Sequence, residues 1–178
     1  MDRLILFRHG KAEGAAASGR DVDRRLTARG VGESADTARR LAALGLGLGL
    51  GLGLGPVLAL VSPAARARQT WAAAQPLLPA AETREARGLY NAEARDIAAI
   101  VSEAAAGCTG AVIVVAHNPG LHDLALRLLA EARAPAPALP QALARLATGL
   151  PTAAAAVFRF DPTGRPVFET LVLGAPSE

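Results

Sequence analysis

The sequence predicts an α/β protein, a three-layer α/β/α sandwich around a mainly parallel central sheet, and three observations lead there. Leu4-Ile5-Leu6-Phe7, Val57-Leu58-Ala59-Leu60-Val61 and Ala111-Val112-Ile113-Val114-Val115-Ala116 are short, unbroken apolar runs. Strands covered by helices on both faces read this way, without the alternation of a half-solvated strand. Each run ends in polar chemistry: Arg8-His9-Gly10, Ser62-Pro63 with Arg66 just beyond, and His117-Asn118-Pro119. Helical periodicity follows each junction. In such sheets ligands gather beyond the carboxyl ends of the strands, so Arg8, His9, Arg66 and His117 are expected to converge.

The elements follow in order. Residues 11–26 read as a polar loop carrying Lys11, Glu13, Asp21, Asp23, Arg24 and Arg25. Thr27 then caps a helix whose apolar stripe is Val31, Ala35, Ala38 and Leu41, ending near Leu44. Gly45 to Gly55 is a strict Gly-Leu alternation. Glycine at every second position leaves a strand nothing to pack, so residues 45–55 are expected to be a low-complexity loop and a dispensable excursion. Ser62-Pro63 and Asn118-Pro119 each place a capping side chain before proline, the pattern of a helix start. Helices are expected over 64–77 and 93–105, the latter with Ile97, Ile100 and Val101 on its apolar face. Between them the segment around Leu89-Tyr90-Asn91 returns to the site. Leu121, Leu124, Ala125 and Leu128 mark a fourth helix, 135–140 a proline-rich linker, and 141–147 a short helix. Val157–Phe160 and Val167–Leu173, joined by Asp161-Pro162-Thr163-Gly164, form a hairpin at one edge of the sheet.

At 178 residues a single domain over 1–178 is expected. Cys108 is the one cysteine, which rules out an internal disulfide and favours a reducing compartment. No stretch has the length and apolar purity of a spanning helix, and no basic segment precedes an apolar run at the amino terminus. A cytoplasmic location with no membrane contact is therefore expected. The net charge of +3 is spread as arginines among acids, and aromatics make up 3% of the chain, so nucleic-acid binding is not expected. Helix N-termini at the strand ends favour an anion, with phosphate as the natural candidate.

Arg8-His9-Gly10, Ser62-Pro63-Ala64-Ala65-Arg66-Ala67-Arg68-Gln69-Thr70 and Val115-Ala116-His117-Asn118-Pro119-Gly120 together resemble the histidine phosphatase superfamily. Asp21-Val22-Asp23-Arg24-Arg25-Leu26-Thr27-Ala28-Arg29-Gly30 is similar to the D-x-D-R-P-L-T-x-x-G run of its small SixA-type branch, the phosphohistidine phosphatases, with Arg25 in place of the usual proline. Pro151-Thr152-Ala153-Ala154-Ala155 before a late strand also looks like that branch, and the similarity covers nearly the whole chain. It implies a phosphatase with a phosphohistidine enzyme intermediate, acting on phosphohistidine in a protein. The alternatives are a small-molecule phosphomonoesterase and a non-catalytic phosphate-binding module.

Phosphoryl transfer needs an in-line nucleophile and concentrated positive charge around the equatorial oxygens. His9 is the candidate nucleophile, Arg8 and Arg66 the candidate forks for phosphoryl oxygens, and His117 a further donor. Gly10, Asn118 and Arg24 are candidate substrate-binding residues, with Asn118 read first as a helix cap. Glu13 and Asp21 are candidates to orient the arginines, and Asp23 and Arg24 to fix the loop. His122 lies five residues after His117, a spacing that turns it away on a helix, so neither a metal nor any other cofactor is expected. Larger members of the superfamily often carry a glutamate after the second arginine as general acid. Here Asn91 follows Leu89-Tyr90 and cannot donate a proton, leaving Glu85 and Glu93 as nearby unassigned acids. A protonated imidazole leaves without such help, which favours phosphohistidine over an alkyl phosphate.

Overall fold

The computed structural model describes residues 1–44, 57–78, 81–107, 110–132 and 140–175. The Gly-Leu segment expected to form a loop, and most of the proline-rich linker, lie outside the described residues.

Three of the strands coincide with the apolar runs: β1 (Arg3–Arg8), β2 (Val57–Val61) and, later in the chain, Ala111–Ala116. Between them come α1 (Ala28–Ala43), α2 (Ala65–Ala74), β3 (Ala81–Glu85) and α3 (Ala94–Ala105); the third apolar run is thus β4. The chain closes with α4 (Gly120–Glu131), α5 (Pro140–Thr148), β5 (Ala155–Phe160) and β6 (Pro166–Val172). The sheet order is β3-β2-β4-β1-β5-β6. β3, β2, β4 and β1 run parallel, while β5 pairs antiparallel with both β1 and β6. The sheet is α/β and mainly parallel, with the expected hairpin closing one edge.

Alternation along the central strands builds two cores. Leu4 and Leu6 of β1, Leu58 and Leu60 of β2, and Val112 and Val114 of β4 face α3, α4 and α5, meeting Ile97, Leu121 and Leu146. Ile5, Phe7, Ala59, Val61, Ile113 and Val115 face α1 and α2, meeting Leu41, Ala67 and Trp71. Both faces are therefore buried, which is why these strands read as unbroken apolar runs. At roughly 25 cal/mol per Å2 of apolar surface buried, this two-sided covering is the main stabilising term of the architecture.

Two expectations change. The buried face of α1 is Gly30, Glu33, Ser34, Thr37, Ala38 and Leu41, whereas Val31 is 44% exposed. The helix is rotated from the apolar stripe so that small and hydroxyl side chains face inward: Thr37 Oγ1 donates to Ala153 O, in the turn before β5, at 2.6 Å, while Ser34, packed against Gly10, donates its Oγ to Gly30 O one turn back in the same helix. The second concerns the caps. Thr27 caps α1 as expected, accepting from Gly30 N. Ser62 and Asn118 do not: α2 begins at Ala65 with Ala64 as its flanking residue, α4 begins at Gly120 after Pro119, and the Asn118–Pro119 peptide is cis. Their side chains are turned to other partners.

Candidate active site

Register fixes the height of the site. Arg8 pairs with Ala116 and Val61 with Val115, so His9 and His117 emerge side by side at the sheet's carboxyl edge, with Ser62 one residue short of their level. His9 and His117 ring centroids are 5.0 Å apart. Arg66 comes from the first turn of α2, almost wholly buried, and donates through Nε to His9 Nε2 at 3.3 Å. The far-apart residues thus meet.

His9 is set by its own backbone. Its Nδ1 lies 2.8 Å from Gly10 O, which can only accept, so Nδ1 carries the proton and Nε2 keeps its lone pair. Burial pushes its pKa down to about 4, opposed by the Gly10 carbonyl and reinforced by Arg66, Arg8 and Arg24. The ring is neutral at ordinary pH. Its neighbour Gly10 was expected among the substrate-binding groups, but its N–H is taken by Thr70 Oγ1 at 2.9 Å, and that hydroxyl in turn donates to Arg66 O. Gly10 is required by packing: a Cβ there would lie 2.5 Å from Gly30 O and 2.6 Å from Ser34 Oγ.

Arg8 donates from Nη1 to Leu150 O at 2.8 Å, and its buried Nε has no protein partner. Burial lowers its pKa. Asn118 sends Nδ2 to the same Leu150 carbonyl at 2.9 Å, leaving Oδ1 buried and unpartnered. This loop is held in turn by Ala153, whose N–H donates to His9 O and whose φ of 57° lies in the left-handed region. A non-glycine residue tolerates that region at a cost of roughly 1 kcal/mol or more, here offset by its bonds to His9 and Thr37.

His117 is buried, with Nε2 2.7 Å from Ser62 Oγ and Nδ1 without a protein partner. Burial pushes its pKa down to about 3, with His9 and Arg66 adding to the effect and Asp21 opposing it. Ser62, read from sequence as a cap, instead bridges this ring and the Ala64 N–H. A serine before proline has the same local signature in both roles.

The loop before α1 reaches over the site through Asp21. Arg66 donates from Nη1 to Asp21 O at 2.8 Å and from Nη2 to Asp21 Oδ2 at 3.0 Å, as expected for an orienting acid. Tyr90 Oη also donates to Asp21 Oδ2, at 2.8 Å, and its ring stands edge-on to His117 with centroids 5.7 Å apart. Arg24 is committed within the loop, to Glu13 O and Asp21 Oδ1, so it fixes the loop as one of its two expected roles required. Hydrogen bonds from Tyr90, Arg24 and Arg66 hold the Asp21 carboxyl far below the usual carboxylate range despite some desolvation. Asp21 is thus an anion. Glu85 and Glu93 lie beside Arg68 and Arg95, exposed partners outside this cluster, and Asn91 occupies a left-handed turn with φ of 52°. His122 bonds Leu146 O through Nε2, joining α4 to α5. Among the described residues no three His, Cys, Asp or Glu side chains group as a metal site.

No family model matches the chain, and no curated protein matches it in sequence. Solved structures do. A SixA protein of Agrobacterium tumefaciens, assigned as a phosphohistidine phosphatase, superposes with a TM-score of 0.73 at 27% identity, covering 98% of this chain and 99% of its own. A SixA protein of Nakamurella multipartitia, with the same assignment, gives 0.74 at 26% identity, covering 99% and 97%. A phosphoserine phosphatase of Entamoeba histolytica shares the fold at a TM-score of 0.63 and 15% identity, covering 97% of both chains. The chain has the fold of the histidine phosphatase superfamily. Its likeness within that superfamily is to the SixA type.

Proposed function

We propose that the chain is a phosphatase that carries the phosphoryl group on His9 and removes it from phosphohistidine in a protein. The observation that carries this reading is the state of the His9 ring: neutral, with Nδ1–H tied to Gly10 O and the Nε2 lone pair facing Arg66. A neutral imidazole with one committed nitrogen has one nucleophilic atom. The likeness to SixA proteins supports the substrate class.

In this mechanism Nε2 of His9 attacks phosphorus in line as the substrate's P–N bond breaks. Arg66 Nε, freed from the attacking nitrogen, and the unpartnered edge of Arg8 take equatorial oxygens, where fixed donors stabilise the charge of the transition state. His117 contributes a hydrogen bond through Nδ1, the ring atom without a protein partner. Asp21 stays ionised and acts on Arg66, holding its fork while the loop closes one side of the pocket. It cannot serve as the general acid. The leaving imidazole carries its own proton and departs neutral, whereas an alkoxide would require one from the protein. Water then attacks phospho-His9, releasing phosphate and restoring Nε2.

Competition between substrates tests this. A phosphohistidine peptide should exceed an unactivated alkyl phosphate in kcat/KM by about 10²–10⁴, the usual contribution of a general acid, and turnover should persist in chelator. A preference for the alkyl phosphate, or inactivation by chelator, would overturn the reading.

A further inference from the structure

A cleft of about 970 Å3 opens beside Arg8, between α5, the Gly149–Pro151 turn and the end of β6. It lies at the large end of ligand sites, which span roughly 300–1,000 Å3, and is far larger than a phosphoryl group requires. Arg8 and Asn118 line it, so it is continuous with the proposed phosphoryl site, and Leu171 and Leu173 give it an apolar side. The remaining polar wall belongs to α5, chiefly Gln141 and Arg145. Among the described residues no carboxylate lines it. The sequence gives the reason: from Ala132 to Phe160 there is no Asp or Glu, although Arg133, Arg145 and Arg159 fall in that stretch. Arg145 itself makes no ion pair among the described residues, whereas pairs elsewhere occupy many of the other arginines. On β6, Glu169 is taken up by Arg3 and Arg159.

We propose that this cleft is a docking subsite for the polypeptide around the phosphohistidine, with Arg145 selecting an acidic residue in the flanking segment. The inference rests on Arg8 and His9 marking the phosphoryl site. A peptide that extends from there toward α5 meets a wide, half-apolar wall with a cation that makes no ion pair among the described residues. An acidic side chain gains a partner at Arg145, whereas a lysine at the same place is repelled and finds no carboxylate.

The test uses two peptides bearing a non-hydrolysable phosphohistidine analogue, one flanked by glutamates and one by lysines, with Kd measured by fluorescence anisotropy at low salt. Wild type should favour the glutamate peptide by about tenfold, the combined effect of an exposed attraction and an exposed repulsion. Arg145→Ala should reduce that ratio to about threefold or less, and Arg145→Glu should invert it. An unchanged ratio in Arg145→Glu, or no discrimination in wild type, would overturn the proposal. Hydrolysis of free phosphohistidine, measured in parallel, reports on the phosphoryl site alone. Its absence would count against the proposed function while the binding ratio still decides the role of the cleft.

Discussion

Arg66 shows how one side chain ties the site together. Its Nε bonds the nucleophile candidate and its two terminal nitrogens bond Asp21, so loop and ring are coupled through one guanidinium. Asp21→Ala should leave Arg66 free to leave the phosphoryl position, lowering kcat/KM by roughly three- to tenfold, since a charged hydrogen bond counts for more than a neutral one but this carboxylate is half exposed. Tyr90→Phe removes one donor to the same carboxylate and should cost less. Equal activity in Asp21→Ala and wild type, in steady-state assays, would remove the loop from the mechanism. Much of this scale was legible in the sequence, because arginines and histidines gathered at the ends of apolar strands serve a core poorly and an anion well. Ser62 was not, and Asn118, although a candidate for substrate binding, was read first as a cap, since a small polar residue before proline looks the same whether it caps a helix or faces a site. Nor was Thr70, whose hydroxyl joins Gly10 to Arg66 but which has no sequence signal apart from its place one turn after that arginine.

At the scale of elements, β1, β2 and β4 were readable to the residue or within one, because burial on both faces writes an unbroken apolar run. β3 was invisible. Its Ala81-Glu82-Thr83-Arg84-Glu85 is an exposed edge strand held by backbone pairing to β2, and by Trp71 Nε1 donating to Thr83 Oγ1, with no hydrophobic period to detect. The face of α1 was misread for a related cause: its inward residues include Thr37, which donates to the Ala153 carbonyl of a turn, and Ser34, which donates back to Gly30 O of its own helix, so neither reads as part of an apolar stripe. Thr37→Val keeps the shape but leaves Ala153 O without its donor. It should destabilise the protein by about 1–3 kcal/mol, the cost of an unsatisfied buried group, and loosen the turn that holds His9 O. Denaturant unfolding measures the first effect; a loss below about 0.5 kcal/mol would show that the turn does not depend on this bond.

For the whole molecule, gathering two neutral histidines and two arginines in one place, two of the four buried and two half-buried, has a consequence for acid stability. The folded pKa values of about 4 for His9 and about 3 for His117 lie below the ordinary 6.5. Between 6.5 and those values the unfolded chain binds protons that the folded site does not, so folding stability is fully present above 6.5 and falls as pH falls. Asp21, depressed in its turn, adds a loss at still lower pH. A His9→Gln, His117→Gln double variant should show a flatter decline in Tm from pH 6.5 to pH 4 than wild type. Identical slopes would mean that these rings are not held neutral by the fold. The two-sided α/β arrangement was readable from three strands and their helices, whereas the cleft beside α5 was not, because it depends on where the Gly149–Pro151 turn and the end of β6 meet in space.

The most direct test of the account is rapid quench with a phosphohistidine peptide labelled in its phosphoryl group. Label should appear on His9, attached at Nε2 because Nδ1 is committed to Gly10 O, stable in base, labile in acid and absent from His9→Ala. Label on His117, an acid-stable phosphoester, or full turnover by His9→Ala would contradict it.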